Sequence, residues 1–467
     1  MIKNVLYITI DSIRADRVGY LGYDGGTTPT IDRLAADGTT FEHGVANGIP
    51  TYYSFKSLLG GVHALSHGRS IGLPETTRSI AAVFSDAGYA TAGFNAQNPW
   101  LTPEYGYDRG FDTLEDFMGG SDTDSGGLTH RALMLAQRSV AFSETLTDTL
   151  GQLARIAYAV VGSQPITQAE PLTDAAIEWL EAHDRESDRP FFLWVHYMDP
   201  HYPWMPPKEY LRGEGEALSR IDVGRIWHTV AYQYQRENAT IDDRMLRQID
   251  QLYDAELRRM DASIGRLLET AEATVDDELL VALAGDHGTE LNDHGGFSHG
   301  PRKLYREVTQ VPLLFYGSGV PSATREVGAL VDVPQTLTRH SGAIDAPVET
   351  YEGIDLFEGA RDGVSTEVVY DVDYVLGKNT DNGLLRAQTS PPWKLIRNEE
   401  TGSVELYDLD DDPHERTNRA DDRPELVSEL TGTLDAHRET IERRTRTIEE
   451  KRRIGRAVSE LKAAGTI

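Results

Sequence analysis

The chain has 467 residues, 75 acidic and 45 basic, a formal net charge of −30, and no cysteine. Disulfides, thiolate metal sites and a cysteine nucleophile are therefore excluded, and the negative field disfavours nucleic acid and anionic lipid as partners. With 39% hydrophobic and 26% charged residues, the chain can build a packed core, as one large domain with an appendage or as two to three domains.

The first apolar run, Val5–Ile10, reads as a buried strand closed by Asp11. It is shorter than the core of a signal peptide, about 7–15 apolar residues, and no stretch approaches the ~20 of a membrane span. The expected location is the cytoplasm. Helical stretches follow at Thr28–Asp37, at Ser54–Leu59 just after Thr51, and at Ser79–Ala87. Residues 121–170 open on Ser-Asp-Thr-Asp-Ser-Gly-Gly and then turn helical. They read as an insertion that either caps a pocket or forms a surface excursion. Thr173–His183 predicts a helix and Phe191–His196 a second strand. Over Asp242–Ala271, Leu246, Ile249, Leu252, Tyr253, Leu257, Met260, Ile264 and Leu267 recur at spacings of three and four, one apolar helix face. Leu279–Ala284 and Val311–Tyr316 complete four short apolar runs separated by helices, the pattern of a parallel α/β sheet.

After about residue 363 the composition changes. Val368–Tyr374, Leu384–Gln388, Trp393–Arg397 and Val404–Tyr407 predict a small antiparallel sheet over 364–422. The tail, 423–467, is a charged helix with ten Lys or Arg against eight Asp or Glu. Its Leu426, Leu430, Leu434, Ile441 and Ile448 form one face, suited to packing on the body or to a homo-oligomer.

Ligands of open parallel sheets bind at the carboxyl ends of strands. Asp11 closes the first run, and Gly285-Asp286-His287 closes the third. Two carboxylates and one imidazole there could hold a divalent metal. Taken singly, an Asp after a strand serves equally well as a turn or helix-cap residue.

These residues belong to an ordered series. Asp11-Ser12-Ile13-Arg14-Ala15-Asp16-Arg17 is followed by Thr28-Pro29-Thr30-Ile31-Asp32-Arg33-Leu34, Gly38-Thr39-Thr40-Phe41 and Pro50-Thr51-Tyr52-Tyr53-Ser54-Phe55-Lys56. Then come Gly88-Tyr89-Ala90-Thr91, His196-Tyr197-Met198-Asp199-Pro200-His201, Gly285-Asp286-His287-Gly288 and Leu406-Tyr407-Asp408. Over about residues 3–420 this series resembles the sulfatase family of the alkaline phosphatase superfamily. The resemblance implies an alkaline-phosphatase-like α/β fold, a predominantly parallel sheet flanked by helices in a catalytic domain over 1–363, with a small C-terminal antiparallel α+β subdomain. It also implies Asp11, Asp286, His287 and Thr51 as ligands of one divalent metal (Ca²⁺, Mn²⁺ or Mg²⁺, with Zn²⁺ as a further choice). Thr51 would be the nucleophile, and His201 would contact the transferred or leaving group. Arg14, Lys56 and His299 are candidates to bind the substrate anion. For Arg14 the alternative is a salt bridge with Asp16 or Asp32, and for Lys56 a solvated helix side chain.

Sulfatases carry Cys or Ser in a C/S-x-P-x-R segment that is converted to formylglycine. Here the segment reads Thr51-Tyr52-Tyr53-Ser54-Phe55, so no formylglycine can form at residue 51. Threonine with Asp-His downstream looks more like the phosphodiesterases and polyol-phosphate transferases of the superfamily. The expected function is a metal-dependent hydrolase of a small sulfate or phosphate ester, with a sugar or polyol as one candidate carrier of the ester. A group transferase and a catalytically silent binding protein are the alternatives, and joint retention of Asp11, Thr51, Asp286, His287 and His201 argues against silence. The site must be locally positive against a charge of −30. Molar salt shortens the Debye length to about 3 Å and screens that field, which predicts a halophilic protein.

Overall fold

The computed structural model describes residues 2–118, 159, 166–211, 218–235, 241–275, 278–300, 303–369, 372–373, 378–379 and 383–463. Its centre is a nine-stranded sheet. In chain order the strands are β1 (Asn4–Ile10), β2 (Thr39–Val45), β3 (Ala90–Asn95), β4 (Thr113–Glu115), β5 (Phe191–Tyr197), β6 (Leu279–Gly285), β7 (Gln310–Val311), β8 (Leu313–Gly317) and β9 (Ala323–Ala329). β1 lies in the middle, parallel to β5 on one side and β6 on the other. Beyond β5 stand β3 and β4, also parallel.

Three of the apolar runs read from the sequence are the three central strands. Their side chains alternate between two buried faces: Leu6, Ile8 and Ile10 enter one core, Val5 and Tyr7 the other. The fourth run corrects the expectation of a parallel strand. Pro312 has no N–H to donate, so Val311–Tyr316 splits into β7 and β8, and both run antiparallel to their neighbours. An apolar run reports burial on both faces and carries no information on direction. β9 pairs parallel with β2; its first half, Ala323–Glu326, is half-exposed and polar, which hid it from a search for apolar runs.

The helices that position the site are α1 (Pro29–Asp37), α2 (Thr51–Gly60), α3 (Ile80–Asp86), α4 (Ala169–Glu186), α5 (Arg220–Gln235), α6 (Asp243–Thr274), α7 (Val333–His340) and α8 (Pro424–Ala463). The Asp242 carboxylate caps α6 by accepting from the Met245 N–H at 2.8 Å. The predicted stripe of α6, from Ile249 to Leu267, packs under the Leu6–Ile8–Ile10 face. α2 is buried along its whole length against the opposite face, with Phe55, Leu58 and Leu59 in that core. It ends at Gly61, whose φ of 62° closes the helix in the left-handed conformation that glycine adopts without penalty.

The C-terminal strands β10 (Val364–Val369), β11 (Leu384–Ser390), β12 (Trp393–Asn398) and β13 (Val404–Asp408) form an antiparallel sheet in that order. Val368, Leu385, Ala387, Ile396 and Tyr407 join the core that holds α2. The sheet therefore backs the helix that begins at Thr51. α8 packs Leu430 and Leu434 on Leu395 and Leu406, and Thr445 Oγ1 donates to Ser66 O at 2.6 Å. The insertion expected over 121–170 falls almost entirely on residues outside those described. Among the described residues, no helix is long and apolar enough to cross a membrane.

Candidate active site

The register of β1 and β6 pairs Ile10 with Gly285, so Asp11 and Asp286 leave adjacent strand ends side by side. Ladder-like bonds continue past the strands: Asp286 N–H donates to Ile10 O at 3.0 Å, and Asp11 N–H to Tyr197 O at 2.9 Å. Asp11, Asp286 and His287 are buried, and one donor atom from each lies within 4.8 Å of the others. His287 Nδ1 must donate to Gly288 O at 2.9 Å, because a carbonyl only accepts. The lone pair of Nε2 is thereby turned into the cluster.

Thr51 opens α2, and Pro50 precedes it as an N-cap without a side-chain bond. Its hydroxyl is not spent on capping. Thr51 Oγ1 lies 3.3 Å from Asp11 Oδ2 and 3.2 Å from His287 Nε2. The oxygen stands at the first residue of the helix, the positive end of its dipole.

Two buried carboxylates share this cluster. Burial, followed by the like charge of Asp11, pushes the Asp286 carboxyl well above its usual range, against hydrogen bonds from His287, Thr51 and Ser12. Burial would also raise Asp11, but the imidazoles of His201, His287, His299 and His196 hold it below the usual range. Among the described residues, Asp286 Oδ2 is buried with no hydrogen-bond partner, a costly state for a carboxylate oxygen. Two oxygens, one imidazole nitrogen and an orphaned carboxylate atom fit a divalent cation.

His201 and His299, 98 residues apart in sequence, meet here. The ring centroids of His287 and His299 are 4.4 Å apart, and those of His299 and His201 5.2 Å. His201 Nδ1 donates to Tyr202 O at 2.5 Å, which leaves Nε2 as the acceptor.

Arg14 and Lys56 do not join them. A guanidinium has five N–H donors, and all five of Arg14 go to Asp16, Asp293 and the Thr289 carbonyl, at 2.6–3.1 Å. The salt-bridge alternative is the arrangement found, with Asp16 and additionally Asp293. Lys56 is completely buried; its Nζ donates to Ala64 O at 2.9 Å and sits 5.2 Å from the centre of the Tyr53 ring. Five residues past Thr51, at 100° per residue, the side chain emerges on a different side of α2. Asp293 is taken by Arg14, and His294 by Glu307 at 2.7 Å, so neither reaches the cluster.

Burial pushes the Lys56 amine down to about 7, only partly opposed by Glu367. The unfolded chain then holds more protons than the folded one between about pH 7 and 10.5, and stability rises through that window. Lys56→Met should be more stable than the parent near pH 6, by about 1–3 kcal/mol, and the gap should close by pH 10. Thermal melts against pH check this. Turnover within about threefold of the parent would accord with the placement of Lys56 away from the site.

Three contributors escaped the sequence reading. Asn98 Nδ2 donates to Asp11 Oδ2 at 3.1 Å, its own backbone held by Asn95 Oδ1. Ser12 Oγ donates to Asp11 Oδ1 at 2.6 Å. His196 bonds Thr9 Oγ1 through Nδ1 at 3.0 Å and presents Nε2 3.9 Å from Asp11 Oδ2. Burial pushes that imidazole down to about 4, despite the nearby Asp11 charge. A histidine inside a fully buried strand was a usable signal; Asn98, in an irregular loop, offered none.

A large, mostly parallel sheet with carboxylates at its central strand ends, and an antiparallel C-terminal sheet, define an alkaline-phosphatase-like fold. Residues 3–343 match the model of the Sulfatase family. The chain belongs to the sulfatase family, the ester hydrolases of the alkaline phosphatase superfamily. It is 24% identical to the multifunctional alkaline phosphatase superfamily protein PehA of Trinickia caryophylli, over 90% of this chain and 91% of that one. It is 25% identical to an arylsulfatase of Clostridium perfringens, over 90% of each chain. Among solved structures, the phosphonate monoester hydrolase of Agrobacterium radiobacter superposes with a TM-score of 0.69 at 20% identity, covering 94% of this chain and 96% of that one.

Proposed function

We propose that the chain is a metal-dependent hydrolase of a small sulfate or phosphate ester, with Thr51 as the nucleophile and no formylglycine. The observation that carries this reading is the Thr51 hydroxyl, 3.3 Å from Asp11 Oδ2 and 3.2 Å from His287 Nε2, at the start of a helix. Asp11, Asp286 and His287, with Thr51, would hold the cation. When bound, a divalent ion supplies a lowered hydroxyl pKa and charge stabilisation for the transferred group.

The protein's own groups account for the rest. The positive end of the α2 dipole, at Thr51, favours an incoming anion. Thr51 Oγ attacks sulfur or phosphorus, the new bond to Oγ forms, and the ester bond to the leaving oxygen breaks. The hydroxyl proton passes through water to the accepting Nε2 of His201, which hands it on to the leaving oxygen. Water then cleaves the threonyl ester and regenerates the hydroxyl. The names of the relatives span aryl sulfates and phosphonate monoesters, which supports leaving both ester types in the substrate class.

The test is an assay of aryl sulfate, aryl phosphate and bis-aryl phosphate, in high salt, with Ca²⁺, Mn²⁺, Mg²⁺ and Zn²⁺ in turn. At least one ester should turn over, stop on chelation and resume when metal is restored. No turnover with any pairing, together with no metal-induced rise in melting temperature, would sink the proposal.

A further inference from the structure

The turn after Asp11 is strained. Ser12 has a φ of 58°, in the left-handed region, where a residue with a side chain costs of order 1–2 kcal/mol. Every polar group of Ser12 is engaged. Its N–H donates to Asp286 Oδ1 at 3.3 Å, its Oγ to Asp11 Oδ1 at 2.6 Å, and its carbonyl accepts from the Tyr253 hydroxyl at 2.8 Å. The same Tyr253 oxygen accepts the Arg14 N–H at 2.9 Å. One phenol thus bridges the backbone on both sides of Ile13.

Tyr253 is rigidly placed. It lies on α6, fully buried in the core under β1, with its ring edge-on to Trp204 at 6.3 Å. Arg14, the far end of the clamped segment, is tied by its side chain to Asp16 and Asp293. The turn is therefore held from the helix below and from the loop beyond. If Ser12 relaxed to negative φ, its N–H would swing away from Asp286 and its hydroxyl from Asp11.

We infer that Tyr253 is a positioning residue for the metal centre: its hydroxyl clamps the left-handed turn at Ser12 and so keeps the Asp11 and Asp286 carboxylates in one frame. This rests on the metal-dependent reading above. Residues that orient metal ligands typically change metal affinity 10–100-fold when removed.

Tyr253→Phe deletes one oxygen and keeps the ring. Mn²⁺ binding, titrated by the electron paramagnetic resonance signal of the free ion, should weaken by about 10–100-fold. The Mn²⁺ concentration for half-maximal turnover should rise by the same factor, and kcat at saturating Mn²⁺ should return to near the parent value. Tyr197→Phe is the control. It removes another fully buried hydroxyl, bonded to Thr173 Oγ1 at 2.8 Å, and should leave Mn²⁺ affinity unchanged. Glycine accepts positive φ without penalty, so Tyr253→Phe should cost much less affinity in a Ser12→Gly background; that comparison also serves if the single variant folds poorly. Unchanged Mn²⁺ affinity in Tyr253→Phe, or an equal loss in the Ser12→Gly background, overturns the clamp. A parent chain that binds no Mn²⁺ instead overturns the metal-dependent reading itself.

Discussion

Thr51→Ala should lower kcat/KM by about 10³-fold or more on whichever ester the protein turns over, because on the proposed mechanism it removes the attacking oxygen and the covalent pathway with it. The change deletes one methyl and one hydroxyl at a buried helix start. Asp11 Oδ2 keeps its bond from Asn98 at 3.1 Å, so no carboxylate oxygen is stranded, and stability should stay within about 1 kcal/mol of the parent. Metal affinity should fall only modestly, since the two carboxylates and His287 remain. Thr51→Ser keeps the oxygen and should retain most of the activity. Steady-state kinetics of the three proteins, with melts as the folding control, decide the matter. A Thr51→Ala protein as active as the parent would mean that the attacking oxygen comes from elsewhere.

The second large effect is expected at Asp286. Two buried carboxylates stand side by side, and among the described residues Asp286 Oδ2 has no hydrogen-bond partner. Asp286→Asn removes the like charge and keeps Oδ1 for the His287 and Ser12 N–H groups. The metal-free variant should melt at or above the metal-free parent. The parent should gain about 2.7 kcal/mol from metal at 100 times its Kd, whereas the variant should gain little at the same concentration. Activity should drop by at least about 100-fold. Calorimetric melts with and without metal give the comparison. Equal metal-induced stabilisation of both proteins would remove Asp286 from the ligand set. The pair of outcomes describes a site whose buried charges cost stability until a cation arrives.

Local pattern and tertiary placement contributed differently to this picture. Asp11, Asp286 and His287 were readable because each closes a short apolar run, and strand ends of parallel sheets collect ligands. Thr51 and His201 came from the ordered motif series, and His299 only from what the family resemblance implies. The direction of β8 was not readable, since apolar residues on both faces are the same for either direction and only the break at Pro312 gave a hint. His196 lies within the apolar strand Phe191–Tyr197, where its pattern is that of a core residue.

The sequence alone determined the three central buried strands, the side chains that follow two of them at Asp11 and Asp286-His287, and that no cysteine chemistry operates. It could not determine where the flexible cations point. Arg14 found Asp293, 279 residues away, and Tyr253 reached Ser12 across 241. Strand and helix periodicity is a property of neighbours in the chain and survives in any window of residues. The partner of a long charged side chain is set by whichever carboxylate the fold brings within about 3 Å, and in a chain of net charge −30 there is no shortage of them. The substrate-binding cations expected at Arg14 and Lys56 were lost to that competition, one to two carboxylates and one to the core. Only the tertiary structure could decide that contest, because the competing groups lie far apart in the chain.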